Sequence, residues 1–284
     1  MTAPVIDAHH HFWDPATADY PWLTDDLAAI RRRFGPEDLG PLLAPAGVDA
    51  TVVVQSRSSE DETVELLATA ERVGFVAGVV GWVDLTGPDV AGRIEALRAG
   101  CGGRRLAGIR HQVHDEADPR WLAGADVVRG LEAVGEAGLA YDLLVRTREL
   151  PAAVEVAAAL PEVRFVLDHL AKPPYAGDIS EWAAALAPLA SLPNVACKLS
   201  GMITEIDGNR WTIDDLRESA SFVIDQFGPE RIMIGSDWPV CLLAADYNQV
   251  HGTARALLAG LDERERAAAL GGNAIRIYQL EEMT

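Results

Sequence analysis

Short β-branched apolar runs alternate along this chain with amphipathic segments rich in Ala, Leu and Glu, and that rhythm restricts the fold more than any other feature. Val5-Ile6 is the first run, and 51–55, 76–83, 106–110, 140–145, 164–167, 195–199 and 231–234 complete a set of eight, each followed by helical sequence. One helix reads clearly, with Ile213, Leu216, Ala220, Val223 and Phe227 on one stripe behind Thr212 as N-cap. Others are expected near 62–67, 90–99, 126–137, from Pro151, around Trp182, and over 248–258 and 263–270. Near-continuous apolar strands separated by helices call for a parallel sheet covered by helices. Eight such units in 284 residues predict an α/β fold, a closed (β/α)8 TIM barrel forming one domain over 1–284. An open doubly wound sheet would carry Gly-x-Gly-x-x-Gly after a strand, and no run is followed by one. The stretch 14–45, rich in Pro, Asp and Arg, reads as a long ordered loop with short helices, whose Tyr20-Pro21-Trp22-Leu23 forms a lid or wall.

Charge narrows the partners. A formal charge of −19 supplies no basic face for nucleic acid or an anionic membrane surface. No stretch of about eighteen apolar residues occurs, so a cytoplasmic, soluble enzyme acting on a small molecule is expected. Three widely spaced cysteines, Cys101, Cys197 and Cys241, fit neither a disulfide framework nor a zinc-finger spacing. The sequence leaves a homo-oligomer open.

In a barrel of this kind the chemistry sits where the strands end. In order, those positions hold His9 and His11, Gln55 and Arg57, Trp82 and Asp84, Arg110 and His111, Asp142 and Arg146, Asp168 and His169 with Lys172 behind, Lys198 and Ser200, and Asp237 with Trp238. Taken singly, several have plain explanations: Arg57 and Arg146 as solvated loop charges, Asp168 as a loop cap, Trp82 as core. Their convergence on one end is harder to explain that way. On an extended strand His9 and His11 share a face and His10 takes the other, so the pair suits metal ligation. Asp237, in Gly235-Ser236-Asp237-Trp238-Pro239, is expected to face that pair across the closed barrel. There a carboxylate can complete a metal site or take a proton from water.

The ordered set carries a resemblance that spans nearly the whole chain. Asp7-x-His9-x-His11-Phe12-Trp13-Asp14, Val54-Gln55, Gly108-Ile109-Arg110-His111, Tyr141-Asp142-Leu143-Leu144-Val145, Leu167-Asp168-His169-Leu170-x-Lys172-Pro173, Cys197-Lys198-Leu199-Ser200-Gly201 and Gly235-Ser236-Asp237-Trp238-Pro239-Val240 resemble the amidohydrolase superfamily. The likeness is to its branch of TIM-barrel hydrolases that contains L-fuconolactonases, L-rhamnonolactonases and 2-pyrone-4,6-dicarboxylate lactonases. The resemblance implies a metal at His9 and His11, Asp237 as general base and His169 near the substrate carbonyl. One departure stands out: the fifth strand lacks the metal-ligating histidine of many members. The implied cofactor is one divalent ion, zinc by expectation, loosely held or dispensable.

Lactone opening is acyl transfer to water, which needs an activated water, positive charge at the nascent oxyanion and a proton for the leaving alkoxide. The expected catalytic groups are Asp237, His169 and His111, with His9, His11 and Asp237 on the metal. Gln55, Arg57, Trp82, Arg110, Asp142, Lys198 and Trp238 are the expected substrate-binding groups. A sugar lactone, which places the enzyme in carbohydrate metabolism, is favoured by Gln55, Asp142 and the tryptophans. Arg57, Arg110, Lys172 and Lys198 keep a pyrone dicarboxylate open. The further alternatives are a related decarboxylase, disfavoured by the missing histidine, and a binding protein that has lost catalysis.

Overall fold

In the computed structural model, which describes residues 3–206 and 210–281, eight parallel strands follow one another around a barrel. They are β1 (Ile6–His10), β2 (Ala50–Val54), β3 (Val76–Gly81), β4 (Leu106–His111), β5 (Ala140–Leu143), β6 (Arg164–Leu167), β7 (Val195–Leu199) and β8 (Ile232–Ile234). Each pairs with its sequence neighbour, as expected from short β-branched runs joined by helical crossovers. The seam between β8 and β1 closes differently. There the residues just beyond β8 reach β1: the Asp237 N–H donates to the His9 carbonyl at 2.8 Å and the His11 N–H to the Trp238 carbonyl at 2.7 Å.

The outer layer holds α1 (Pro36–Ala46), α2 (Glu60–Arg72), α3 (Val90–Ala99), α4 (Ala125–Glu136), α5 (Leu150–Ala159), α6 (Ser180–Ala190), α7 (Ile213–Phe227) and α8 (Tyr247–Leu257). Local sequence starts these helices where capping rules place them. The Asp215 carboxylate accepts the Thr212 N–H at 2.6 Å ahead of α7, and Asp246 accepts the Gln249 N–H at 2.8 Å ahead of α8. The short helices expected within the 14–45 stretch include α1, which occupies its last third and is opened by Pro36 in the tolerated first position. The helix expected over 263–270 begins as α9 (Glu263–Ala267) and continues into a π-helical turn over Ala268–Gly272. After that turn comes α10 (Asn273–Tyr278), which the sequence pattern did not flag.

Two apolar layers hold the barrel. One lies between sheet and helices; the other fills the bottom of the barrel, where Ile6, Val52, Val166, Ala196 and Met233 pack with Ile277, Tyr278 and Leu280. Strand alternation then sets polar groups one step higher on the same inward face. Asp142 stands above Ala140, Asp168 above Val166, and Lys198 above Ala196, and all three polar side chains are fully buried. The site is therefore built on a charged floor over an apolar plug. Among the described residues no helix is long and apolar enough to cross a membrane.

Candidate active site

The floor is a quartet of opposite charges. Lys198 Nζ lies 2.6 Å from Asp142 Oδ2 and 2.9 Å from Asp168 Oδ1, and Arg110 Nη1 lies 3.0 Å from Asp168 Oδ2. Gln55 holds Arg110 from the other side, its Oε1 accepting Nη2 at 2.9 Å, and the Tyr278 hydroxyl donates to Asp142 at 2.8 Å. Two cations and two carboxylates out of water persist only because each is paired. Burial pushes Asp142 up, against the pull of Lys198, whereas Lys198, His9 and Arg110 hold Asp168 well below the ordinary carboxylate range.

On this floor stand three histidines and a carboxylate. His9 and His11 do share a face, with their Nε2 atoms 3.1 Å apart. His10 points away, to Thr51 Oγ1 at 2.8 Å, with its ring against Phe12. The Nδ1 of His11 lies 2.8 Å from the Val54 carbonyl, which only accepts, so Nδ1 carries a proton and Nε2 is the nitrogen turned toward the site. Asp237 Oδ1 lies 3.3 Å from His11 Nε2, 3.8 Å from His9 Nε2 and 3.9 Å from His169 Nε2. It does not face the pair across the barrel: β8 is the neighbour of β1, and the carboxylate stands beside the imidazoles at the seam. Burial alone would raise the Asp237 carboxyl, but attraction to His169, His11 and Lys172 wins and lowers it, so the group is ionised at neutral pH. Burial is the largest influence on His9 and His169 and lowers both.

Backbone conformation aims these side chains. His169, Leu170, Ala171 and Lys172 form a left-handed turn at φ of 53°, 55°, 55° and 52°, a region that costs roughly 1–2 kcal/mol per residue for side chains with a Cβ. The turn is held by the Lys172 N–H to the His169 carbonyl at 2.7 Å and by Trp182 Nε1 to the Leu170 carbonyl at 2.9 Å. Strain of this kind gathers at functional sites. Gly201 makes room for the result, since a Cβ there would sit 2.5 Å from His169 Nδ1. Gly235 does the same on β1's side, where a Cβ would lie 2.6 Å from that of His9.

Above the site opens a cavity of about 410 Å³, and His11, Arg110, His169 and Asp237 line its deep end. Trp22 and Leu27 form one wall, so part of the 14–45 stretch does become a wall. Trp22 is fixed there by its Nε1 donating to the Ser56 carbonyl at 2.8 Å. Lys172, Arg146, His114, Asp115 and Glu205 stand around the rim.

Several expected site residues lie elsewhere. The His111 ring accepts from Trp82 Nε1 at 3.0 Å, lies 2.7 Å from Glu116 and stacks on Trp121, so both nitrogens are engaged away from the cavity, and Trp82 with them. Trp238 is 1% exposed and packs against Phe12 and Phe34, a core residue and not a cavity wall. Arg57 turns toward Glu62 and Glu65 and lines an adjoining pocket. Gln55, Asp142 and Lys198 are sealed in or beneath the floor, where they set the position of Arg110 and Asp168 and do not line the cavity. The sequence reading gave no role to Asp7 or Tyr278. Asp7 alternates with His9 and His11 on one strand, a usable signal; Tyr278 arrives from the far end of the chain with none.

Among the described residues, two groupings could hold a metal ion: His9, His11 and Asp237, and His9, Asp168 and His169. The first fits better, because Asp168 is already paired with Arg110 and Lys198. Its donor atoms stand 3.1, 3.3 and 3.8 Å apart, near the roughly 3.3 Å edge expected of nitrogen and oxygen ligands about 2.0–2.1 Å from a tetrahedral ion.

Comparison with known proteins agrees with this architecture. An L-fucono-1,5-lactonase of Burkholderia multivorans is 41% identical over 99% of this chain and 98% of its own length. A crystal structure of a Burkholderia multivorans amidohydrolase with bound zinc superposes with a TM-score of 0.92 at 40% identity, covering 98% of this chain and all of the other. A putative 2-pyrone-4,6-dicarboxylic acid hydrolase of Pseudomonas putida, at 23% identity and a TM-score of 0.75, shares the fold. The amidohydrolase family model matches residues 6–280, and the chain belongs to that family.

Proposed function

We propose that this enzyme, a cytoplasmic catalyst built from the whole of 1–284 as one domain, opens the ring of a neutral sugar lactone by water attack on its carbonyl. The observation that carries the choice of substrate is the state of the cations. Arg110 and Lys198 are bound to Asp168 and Asp142, Lys172 lies 2.7 Å from Glu205, Arg146 is 3.5 Å from the same carboxylate, and Arg57 faces Glu62 and Glu65. A dicarboxylate needs convergent cations free to bind it. Here Asp115 adds negative charge to the cavity wall, Glu205 is shared between Lys172 and Arg146, and His114, pushed down to about 3 chiefly by burial, is neutral. Mixed donors and acceptors beside the Trp22 indole suit hydroxyl groups on a ring. The similarity to L-fucono-1,5-lactonases makes an L-configured aldono-1,5-lactone the first compound to test.

In this reading Asp237, ionised and buried beside the imidazoles, accepts the proton of the attacking water and returns it to the departing ring oxygen. His169 Nε2, on the same side of the cavity, orients the lactone carbonyl. Arg110 and Lys198 keep the floor neutral overall by holding Asp168 and Asp142. A divalent ion on His9, His11 and Asp237, zinc by its nitrogen and oxygen donors, would supply positive charge where the oxyanion develops. Arg110 Nη1, 3.3 Å from His9 Nε2, already brings positive charge to that spot, so such an ion is bound weakly.

A pH-indicator assay over aldonolactones and a pyrone dicarboxylate, with and without chelator, tests the proposal. Turnover confined to aldonolactones is expected; faster turnover of the dicarboxylate, or of no lactone at all, would overturn it.

A further inference from the structure

Asp7 is fully buried, and four hydrogen-bond donors converge on it. Its Oδ1 accepts the Ser236 N–H at 2.8 Å and the His9 N–H at 3.2 Å; its Oδ2 accepts the Ser236 hydroxyl at 2.6 Å and the Tyr247 hydroxyl at 2.9 Å, with His251 Nε2 3.6 Å away. The Ser236 hydroxyl in turn accepts the Trp238 N–H at 3.0 Å. These contacts lie where regular strand pairing stops, since β1 and β8 meet through the turn that carries Asp237. Asp237 itself sits at φ 56°, in the left-handed region that residues other than glycine uncommonly occupy.

We propose that Asp7 is a positioning residue for the hydrolytic reaction: its carboxylate clamps the Ser236-Asp237-Trp238 turn to β1 and so fixes the Asp237 carboxylate beside His9 and His11. The clamp also ties α8 to the site through Tyr247. Asp7 does not line the cavity, so it acts through Ser236 and never on the substrate. Asparagine is nearly isosteric, yet its amide nitrogen would meet hydroxyl donors or the Ser236 N–H wherever it turned. The inference rests on Asp237 being the base.

The test compares Asp7→Asn, Ser236→Ala and the double variant with wild type, reading steady-state kinetics on an aldonolactone and amide hydrogen exchange. Losses of about 10–100-fold in kcat with KM within threefold are expected for each single variant, the range found when groups that orient ligating side chains are removed. The double variant should lose no more than Asp7→Asn alone, because both break one linkage. Exchange should quicken at His11, Ser236, Asp237 and Trp238 while the β3–β6 amides stay protected. This second reading is independent of catalysis, so it separates failure of the clamp from failure of the lactonase assignment. Unchanged exchange at the turn, kcat within threefold of wild type, additive losses, or loss of protection throughout the barrel would each overturn the proposal.

Discussion

The Asp237 N–H donates to the His9 carbonyl at 2.8 Å, so the carboxylate and one of its imidazole neighbours are joined through the backbone as well as through side chains. The candidate site is thus part of the barrel's closure, and disturbing one disturbs the other.

Replacing the Asp237 carboxylate removes the proposed base while the backbone bonds remain. Asp237→Asn should keep the unfolding midpoint within a few degrees and lower kcat by roughly 10²–10⁴-fold. Lactonase kinetics beside thermal unfolding check this, and a variant with nearly full rate would sink the assignment.

Gly201 is the space in which the His169 ring sits. Gly201→Ala places a Cβ 2.5 Å from Nδ1 at a backbone φ of 62°. A loss of about 1–3 kcal/mol in stability is expected from the backbone conformation alone, with kcat falling as His169 is displaced. Urea unfolding and kinetics on the same preparation decide it; an alanine variant equal to wild type in both would refute the packing argument.

Lys198 neutralises two buried carboxylates, and Lys198→Met leaves Asp142 and Asp168 facing each other in the floor. Breaking a buried pair on one side typically costs about 3–5 kcal/mol. Denaturant titration should show a loss of that order, partly relieved at acid pH, where a carboxyl takes up a proton. A stable variant with no pH dependence would contradict the charge balance.

His10 is pushed down to about 4 from an ordinary value of 6.5, mainly by burial and partly offset by Asp7. Between those values the unfolded chain binds a proton that the native ring does not. Stability from this group is therefore complete above pH 6.5 and falls as pH drops toward 4, by about 3 kcal/mol. Urea unfolding of wild type and His10→Gln at pH 7, 5.5 and 4.5 should show the steeper decline in wild type. Equal slopes would show that His10 is not the titrating group.

Zinc binding reports on the ligand set directly. Calorimetric titration should give weak binding to wild type and at least tenfold weaker binding to His11→Gln, whose amide cannot replace the Nε2 lone pair. Equal affinities would place the ion elsewhere.

The one-dimensional pattern carried the barrel, because strand and helix periodicities are local and eight alternations leave few ways to bury the apolar faces. It also carried His9, His11, His169 and Asp237 as groups at the strand ends, since chain order in a barrel dictates which end a residue reaches. It did not carry direction beyond that end. His111 and Trp82 follow apolar runs as Asp237 does, yet they turn outward to Glu116 and Trp121, and Trp238 turns into the core. Gln55, Asp142 and Lys198 follow the same rule and are sealed in the floor.

Those outcomes depend on partners far away in sequence. Tyr278 caps Asp142 from the last helix, Tyr247 reaches Asp7 from α8, and Glu205 takes up Lys172 at the rim. The sequence by itself determined the fold and the reactive groups, through periodicity and order. Only the tertiary structure decided which cations are already paired, because a charge is free or spent according to what lies within a few ångströms of it.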